Sequence, residues 1–232
     1  MKAVILAGGL GTRLRPFTQV VPKPLLPIGE RSVLEIQIER LKEYGFDHII
    51  FATNYMANYV SRFFGDGSDL GVKITYSKED KALGTAGPLS LLKSELTEPF
   101  MVMNGDILSL IDFTKLYNFA LQKQSALTIT IKKIITPYAF GNIFFNGDIV
   151  TGIEEKPDII TYALAGIYVM TPEIFNYIPD DTFYGMDLLI RDMITKNKPI
   201  LKYEIEEYWL DIGKIEDYTK AQEVYKTHFK ES

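Results

Sequence analysis

Lys2-Ala3-Val4-Ile5-Leu6-Ala7 is a short apolar run that stops at Gly8-Gly9. Such a run suits a strand buried on both faces, with a loop at its carboxyl end, and it reads as the central first strand of a sheet. Further along, Ser32 and Glu35 have capping-box spacing, and Leu34, Ile38 and Leu41 recur at helical intervals. Gly45 then offers the left-handed conformation that ends a helix.

The alternation continues with a strand His48 to Thr53, a helix near Ala57 to Phe64, a strand Val72 to Ser77, a helix from Ala86, a strand Phe100 to Asn104 and a helix Phe113 to Gln122. Strands alternating with helices predict an α/β, doubly wound, mostly parallel sheet. After Ala126 the texture changes. Ile143 to Phe145 and Ile149 to Glu155 flank Asn146-Gly147-Asp148, which predicts a small antiparallel subregion built on a hairpin. A strand Ala163 to Met170, a helix Met186 to Lys196 and a closing helix Glu216 to Thr227, with Tyr218, Ala221 and Tyr225 on one side, complete the series. No linker or repeat interrupts it, so residues 1–232 read as a single domain. Open sheets of this kind bind ligands beyond the carboxyl ends of their strands, so the loops after Ala7, Thr53, Ser77 and Asn104 should share one cleft.

Composition narrows the chemistry. With no cysteine and two histidines, thiolate zinc sites, cysteine nucleophiles and multi-histidine metal sites are excluded, and any metal should be held by oxygen. A net charge of −5 gives no general attraction for nucleic acid or anionic lipid. No apolar run approaches the roughly 20 residues needed to span a bilayer, and Met1 to Ala7 is too short for a signal peptide, so a cytoplasmic location is expected.

Gly8-Gly9-Leu10-Gly11-Thr12-Arg13 directly follows the first strand, where glycines let backbone N–H groups approach a phosphate chain. It is not a Walker A loop, and Leu14 stands where the dinucleotide fingerprint needs its third glycine. Read alone, it also fits an ordinary glycine turn. Arg13, Arg15 and Lys23 put cations immediately after it, as a triphosphate requires, with Arg15 the most dispensable of the three. Asp106 follows a glycine at the end of a strand, in keeping with a magnesium site of few carboxylates plus phosphate oxygens and water.

Leu6-Ala7-Gly8-Gly9-Leu10-Gly11-Thr12-Arg13-Leu14 together with Pro22-Lys23-Pro24-Leu25 resembles the signature of the sugar-phosphate nucleotidyltransferases, and the resemblance extends over essentially the whole chain. It implies a Rossmann-like nucleotidyltransferase fold and a magnesium-dependent reaction of a nucleoside triphosphate with a sugar 1-phosphate. Leu6, Ala7, Gly8, Gly9, Gly11 and Thr12 would then hold the triphosphate, and Arg13 and Lys23 would neutralise it. Asp106 would bind Mg2+, joined by Asp211 of Trp209-Leu210-Asp211-Ile212-Gly213. Glu79, Gly84 and Thr85 would meet the base, and a carboxylate at Glu79 could accept both N1 and N2 protons of guanine. Gly141, Gly166, Glu155 and Lys156 would meet the sugar phosphate.

The chain departs from the pattern in one place: Leu164-Ala165-Gly166 stands where the family has Asn-Ala-Gly, which removes a sugar-hydroxyl contact. The resemblance favours GTP with a mannose- or heptose-like sugar 1-phosphate. A uridylyltransferase for an amino sugar and a non-catalytic nucleotide-sugar sensor are the alternatives. The aromatic region Phe175 to Tyr184 fits a core or pocket wall, or an interface in a homo-oligomer.

Overall fold

The computed structural model describes residues 1–54 and 56–229. In chain order the elements are β1 (Lys2–Leu6), β2 (Pro27–Ile28), β3 (Arg31–Ser32), α1 (Val33–Glu43), β4 (His48–Thr53), α2 (Ala57–Phe64), β5 (Lys73–Lys78), β6 (Phe100–Asn104), β7 (Ile107–Ser109), α3 (Phe113–Lys123), β8 (Leu127–Pro137), β9 (Asn142–Asn146), β10 (Ile149–Glu154), β11 (Asp158–Met170), α4 (Met186–Thr195), β12 (Leu201–Glu204), β13 (Trp209–Asp211) and α5 (Ile215–His228). Seven strands form the main sheet in the order β12-β8-β11-β6-β1-β4-β5. Within it only β11 runs against its neighbours. The doubly wound, mostly parallel sheet is therefore present, with small antiparallel pairs attached.

β1 is central because both of its faces are apolar. Ala3 and Ile5 pack with Phe51, Met101 and Met103 under α1 and α3, while Val4 packs with Ile50, Phe100 and Val102 on the opposite face, under α4. Register brings the ends together: Leu6 lies opposite both Ala52 and Asn104, and Ala52 lies opposite Ser77. The carboxyl ends of β1, β4, β5 and β6 thus open on one edge. A third apolar cluster, including Leu14, Leu26, Ile212, Ala221 and Tyr225, seats α5 beside that edge.

The capping box of α1 forms as its spacing predicts. Ser32 Oγ accepts the Glu35 N–H at 3.2 Å, and Glu35 Oε2 accepts the Ser32 N–H at 2.6 Å. The hairpin at Asn146-Gly147-Asp148 also forms, with Gly147 at a φ of 58°.

Elsewhere the structure corrects the sequence reading. The helix expected from Ala86 is a 3-10 segment, Gly87–Leu92. Gly87 and Pro88 are poor helix formers, and the Gly87 carbonyl accepts the Ser90 hydroxyl at 2.7 Å, which favours the tighter turn. β11 begins at Asp158 rather than Ala163 because it pairs with β8 from Asp158 opposite Pro137 to Leu164 opposite Ile131 and, after a register shift, from Tyr168 opposite Ile129 to Met170 opposite Leu127. Only Ile167 to Met170 of β11 also meet β6, so the outer halves of β8 and β11 project as a ribbon, carrying exposed Ile135 and Ile160. Among the described residues no helix is long and apolar enough to cross a membrane.

Candidate active site

A cavity of 360 Å³ opens at the aligned strand ends. Gly8 and Gly9 line it from the loop after β1, Asn54 from beyond β4, Glu79 from beyond β5, and Asn104 and Asp106 from the end of β6. The four loops expected to share one cleft do so. The facing wall is made by Ala82, Gly84, Thr85, Pro88 and Phe183.

The glycine loop owes its course to two anchors. The Gly11 carbonyl accepts the Thr18 hydroxyl at 2.8 Å. Leu14 is fully buried beside Leu26 and Ile212, so the residue that spoils the dinucleotide fingerprint serves as the loop's apolar root. Between these anchors Thr12 and Arg13 stay exposed. An ideal Cβ on Gly9 would meet nothing within 4 Å among the described residues, which leaves its backbone facing open space in the cavity.

The charged centre lies between β6 and β13. Short β7 and β13 pair antiparallel, with Asp211 opposite Ile107, and the Asp106 carbonyl accepts the Ile212 N–H at 3.0 Å. This backbone pairing carries Asp211 to Asp106 across more than a hundred residues of chain. Lys23 Nζ forms an ion pair with Asp106 Oδ2. Asp106 Oδ1 and Asp211 Oδ1 are buried without a hydrogen-bond partner among the described residues.

Burial raises the Asp211 carboxyl above its ordinary value, and the charge of Asp106 adds to this, while Lys23 and Arg13 oppose it. Arg13 reaches the same centre from the glycine loop, its Nη1 lying 3.6 Å from an ideal Cβ on Gly213. Two adjacent carboxylates with orphaned inward oxygens fit a divalent cation. Among the described residues no cluster of three or more acidic, histidine or cysteine groups is present, which leaves the other coordination positions to phosphate oxygens and water.

The loop at Leu83 to Gly87 is zipped to the segment before α4. The Tyr184 carbonyl accepts the N–H groups of both Ala86 and Gly87 at 2.9 Å, and Leu83 accepts the Tyr184 N–H at 2.8 Å. Thr85 Oγ1 accepts the Met186 N–H at 2.8 Å, so its hydroxyl oxygen is engaged in fixing this wall. Gly84 has a φ of 83°, and an ideal Cβ there would lie 2.7 Å from the Tyr184 carbonyl oxygen. Gly84→Ala should therefore cost about 1–3 kcal/mol of stability and weaken nucleotide binding. Gly9→Ala, at an uncrowded position, should stay within about 0.5 kcal/mol of wild type in the same thermal unfolding experiment. Equal losses in the two variants would overturn this contrast.

Glu79 is buried, which raises its carboxyl, while hydrogen bonds from Leu83 and Asn54 pull it back down. Its Oε2 already accepts the Leu83 N–H at 2.7 Å. That donor comes from the short 79–83 turn, while Glu79 Oε1 lies toward the glycine loop, 3.2 Å from an ideal Cβ on Gly8.

The sugar-phosphate residues divide. Gly166, at a φ of 72°, sits so close to the cavity-lining Asn104 that a Cβ would come 2.7 Å from its Nδ2. Gly141 and Glu155 lie together, a Cβ on Gly141 falling 3.2 Å from Glu155 Oε2. Glu155 and Lys156 are exposed at the foot of the β9–β10 hairpin, and neither they nor Gly141 line the cavity. Phe175 stacks on Phe100 at 6.0 Å and Phe183 lines the cavity, so the aromatic region supplies both core and pocket wall.

Two residues hold the charged centre in place through contacts the sequence does not show. Gln37 of α1 is buried, and its Nε2 donates to the carbonyls of Asn104 at 3.0 Å and Ile107 at 2.7 Å, clamping the turn that presents Asp106. Trp209 Nε1 donates to the Ala165 carbonyl at 2.8 Å, tying β13 to β11. Gln37 has no sequence signal, since a glutamine in a helix is commonplace, and Trp209 stands in the Trp209-Leu210-Asp211-Ile212-Gly213 element with nothing in the sequence to show what its ring N–H would meet. Gln37→Met should leave the two carbonyls unpaired, cost about 1–3 kcal/mol in thermal unfolding, and lower turnover more than nucleotide affinity. An unchanged ratio of the two kinetic effects would count against the clamp.

Residues 2–228 match the nucleotidyl transferase family. The chain is 34% identical over 233 residues to the mannose-1-phosphate guanylyltransferase catalytic subunit beta of Danio rerio, covering 97% of this chain and 64% of that protein. It is 35% identical over 243 residues to a UTP-glucose-1-phosphate uridylyltransferase of Synechocystis, covering 95% of this chain and 62% of that one. It therefore spans under two thirds of the length of either relative. Among solved structures, HddC from Yersinia pseudotuberculosis complexed with GMP-PN superposes with a TM-score of 0.76 at 28% identity, covering 97% of this chain and 99% of that chain.

Proposed function

The chain belongs to the nucleotidyl transferase family, and we propose that it transfers a nucleoside monophosphate from a nucleoside triphosphate to a sugar 1-phosphate, releasing pyrophosphate. The observation that carries this reading is the Asp106–Asp211 pair, with its orphaned inward oxygens, beside Lys23 at the mouth of the glycine-loop cavity.

An oxygen of the sugar phosphate attacks the α-phosphorus in line, and the bond to the departing pyrophosphate breaks. The nucleophile arrives anionic, so no general base is needed. Lys23 and Arg13 provide fixed positive charge where negative charge accumulates on the α-phosphate, and that charge is stabilised more in the transition state than in the ground state. Asp106 and Asp211 would hold Mg2+, which supplies Lewis-acid stabilisation of the phosphoryl oxygens when bound. Gly8 and Gly9 let the phosphates approach the main chain, Glu79, Gly84 and Thr85 frame the base, and Gly141, Glu155, Lys156 and Gly166 serve the acceptor.

GTP with a mannose- or heptose-like acceptor is the leading substrate pair, supported by the guanylyltransferase relative and by the GMP-PN complex of the structural neighbour. Uridylyl transfer is the second reading, supported by the UTP-glucose-1-phosphate uridylyltransferase relative. Magnesium-dependent pyrophosphate release should be measured across nucleoside triphosphates and sugar 1-phosphates. A GTP column of activity is the expected result. A UTP column supports the second reading, and nucleotide binding with no pyrophosphate from any pair overturns both.

A further inference from the structure

Beyond the end of β6 the outer halves of β8 and β11 continue as a two-stranded arm. Residues two apart on a strand share a face, so Ile131, Lys133 and Ile135 of β8 lie on one side of the arm, and the register sets Leu164, Tyr162 and Ile160 of β11 beside them. Water would favour polar side chains along such a projection. Instead Ile135, Ile160 and Tyr162 are 52%, 51% and 56% exposed.

The same face has a hollow at its root. Ile131, Leu164, Ile190 and Ile194 line a groove of 490 Å³ between the sheet and α4, and Ile194 is itself 62% exposed. Arm and groove therefore make one apolar strip. With its side chains about half exposed, the strip offers on the order of 500 Å² of apolar surface, at the upper end of what a soluble monomer shows in one patch and enough for the centre of an interface of about 800 Å² per partner.

Projection, hollow and charge are arranged as a second copy of the chain would need them. Asp158, opposite Pro137, marks the far end of the arm, while Arg191 lines the groove. Ile135 and Ile160 lie four residues from Ile131 and Leu164, so about 13 Å separates the projecting part from the hollow. A two-fold axis between the two lays each copy's arm in the other's groove, covers both apolar parts at once and brings Asp158 of one copy toward Arg191 of its partner. Contact with an unrelated protein would not require one chain to carry both the projection and its complement on a single face.

We infer that the chain forms a two-fold dimer in which the β8–β11 arm of each copy seats in the groove beside α4 of the other. Arm and groove share no lining residue with the cavity at the strand ends, so the inference stands or falls separately from nucleotidyl transfer.

Sedimentation equilibrium of the full chain at micromolar concentrations should give twice the mass of the chain. Ile160→Asp on the arm and Ile194→Asp in the groove, both at positions more than half exposed, should leave the circular dichroism spectrum unchanged. Each should raise the dimer dissociation constant by about a hundredfold or more, because the new carboxylate would lose its water within the contact. Tyr59→Asp, on α2 and 57% exposed, should leave the dimer intact. Asp158→Arg and Arg191→Asp should each weaken the dimer by about tenfold, and the double variant should recover most of that loss.

A chain that stays monomeric throughout would overturn the inference and leave the strip to a different protein. A dimer that Ile160→Asp and Ile194→Asp do not disturb, or one that Tyr59→Asp disrupts in their place, would overturn it by putting the interface elsewhere. Charge reversals that the double variant fails to rescue would overturn the crossed seating of arm in groove.

Discussion

Asp106→Asn should lower turnover by at least about a hundredfold while the fold remains intact, equivalent to roughly 3 kcal/mol of lost transition-state stabilisation. The substitution keeps the side chain's shape and removes its charge. Asp106 Oδ2 faces Lys23, and the buried Oδ1 has no hydrogen-bond partner among the described residues, so the side chain contributes little to packing that an amide could not replace. What it loses is the ability to share a cation with Asp211. Steady-state pyrophosphate release, with circular dichroism as the check on folding, reads the outcome. A near-normal rate would remove Asp106 from the reacting centre.

Lys23→Ala should cost a similar factor, for a different reason. Its side chain is mostly buried, with an exposure of 11%, and its ammonium is already oriented by Asp106, so little reorganisation is needed when charge develops on the α-phosphate. Removing it leaves Asp106 without its ion-pair partner beside Asp211, and Arg13 alone then has to offset both carboxylates. The double variant Lys23→Ala/Asp106→Asn should fall well short of the product of the two single effects, because the residues form one ion pair. Full additivity in such a cycle would show that they act separately.

The parts of this centre differ in how far the sequence exposes them. The glycine loop is legible because a buried strand ending in glycines has few structural solutions, and the Ser32–Glu35 box because its spacing is local. Asp211 is legible only through family resemblance. It reaches Asp106 by a three-residue pairing of β13 with β7, too short to leave a periodic trace and too distant in the chain to infer from spacing. The 3-10 segment after Ala86 was hidden because Gly-Pro-Leu-Ser-Leu-Leu has an apolar spacing that suits either kind of helix. Glu79 shows another limit: its residue type gives no sign that the Leu83 N–H, four residues on, turns back to hydrogen-bond it. The projecting ribbon of β8 and β11 likewise has the alternation and length of a strand, while its exposure depends on where β6 stops.

The most direct test of nucleotidyl transfer at Asp106 and Asp211 is to label GTP and UTP at the α-phosphate and follow the label in the presence of magnesium and a panel of sugar 1-phosphates. Label should pass into a nucleoside diphosphate sugar in step with release of unlabelled pyrophosphate, and that transfer should collapse in Asp106→Asn. Label that enters no sugar nucleotide from any pair, while the nucleotide still binds, would contradict the assignment.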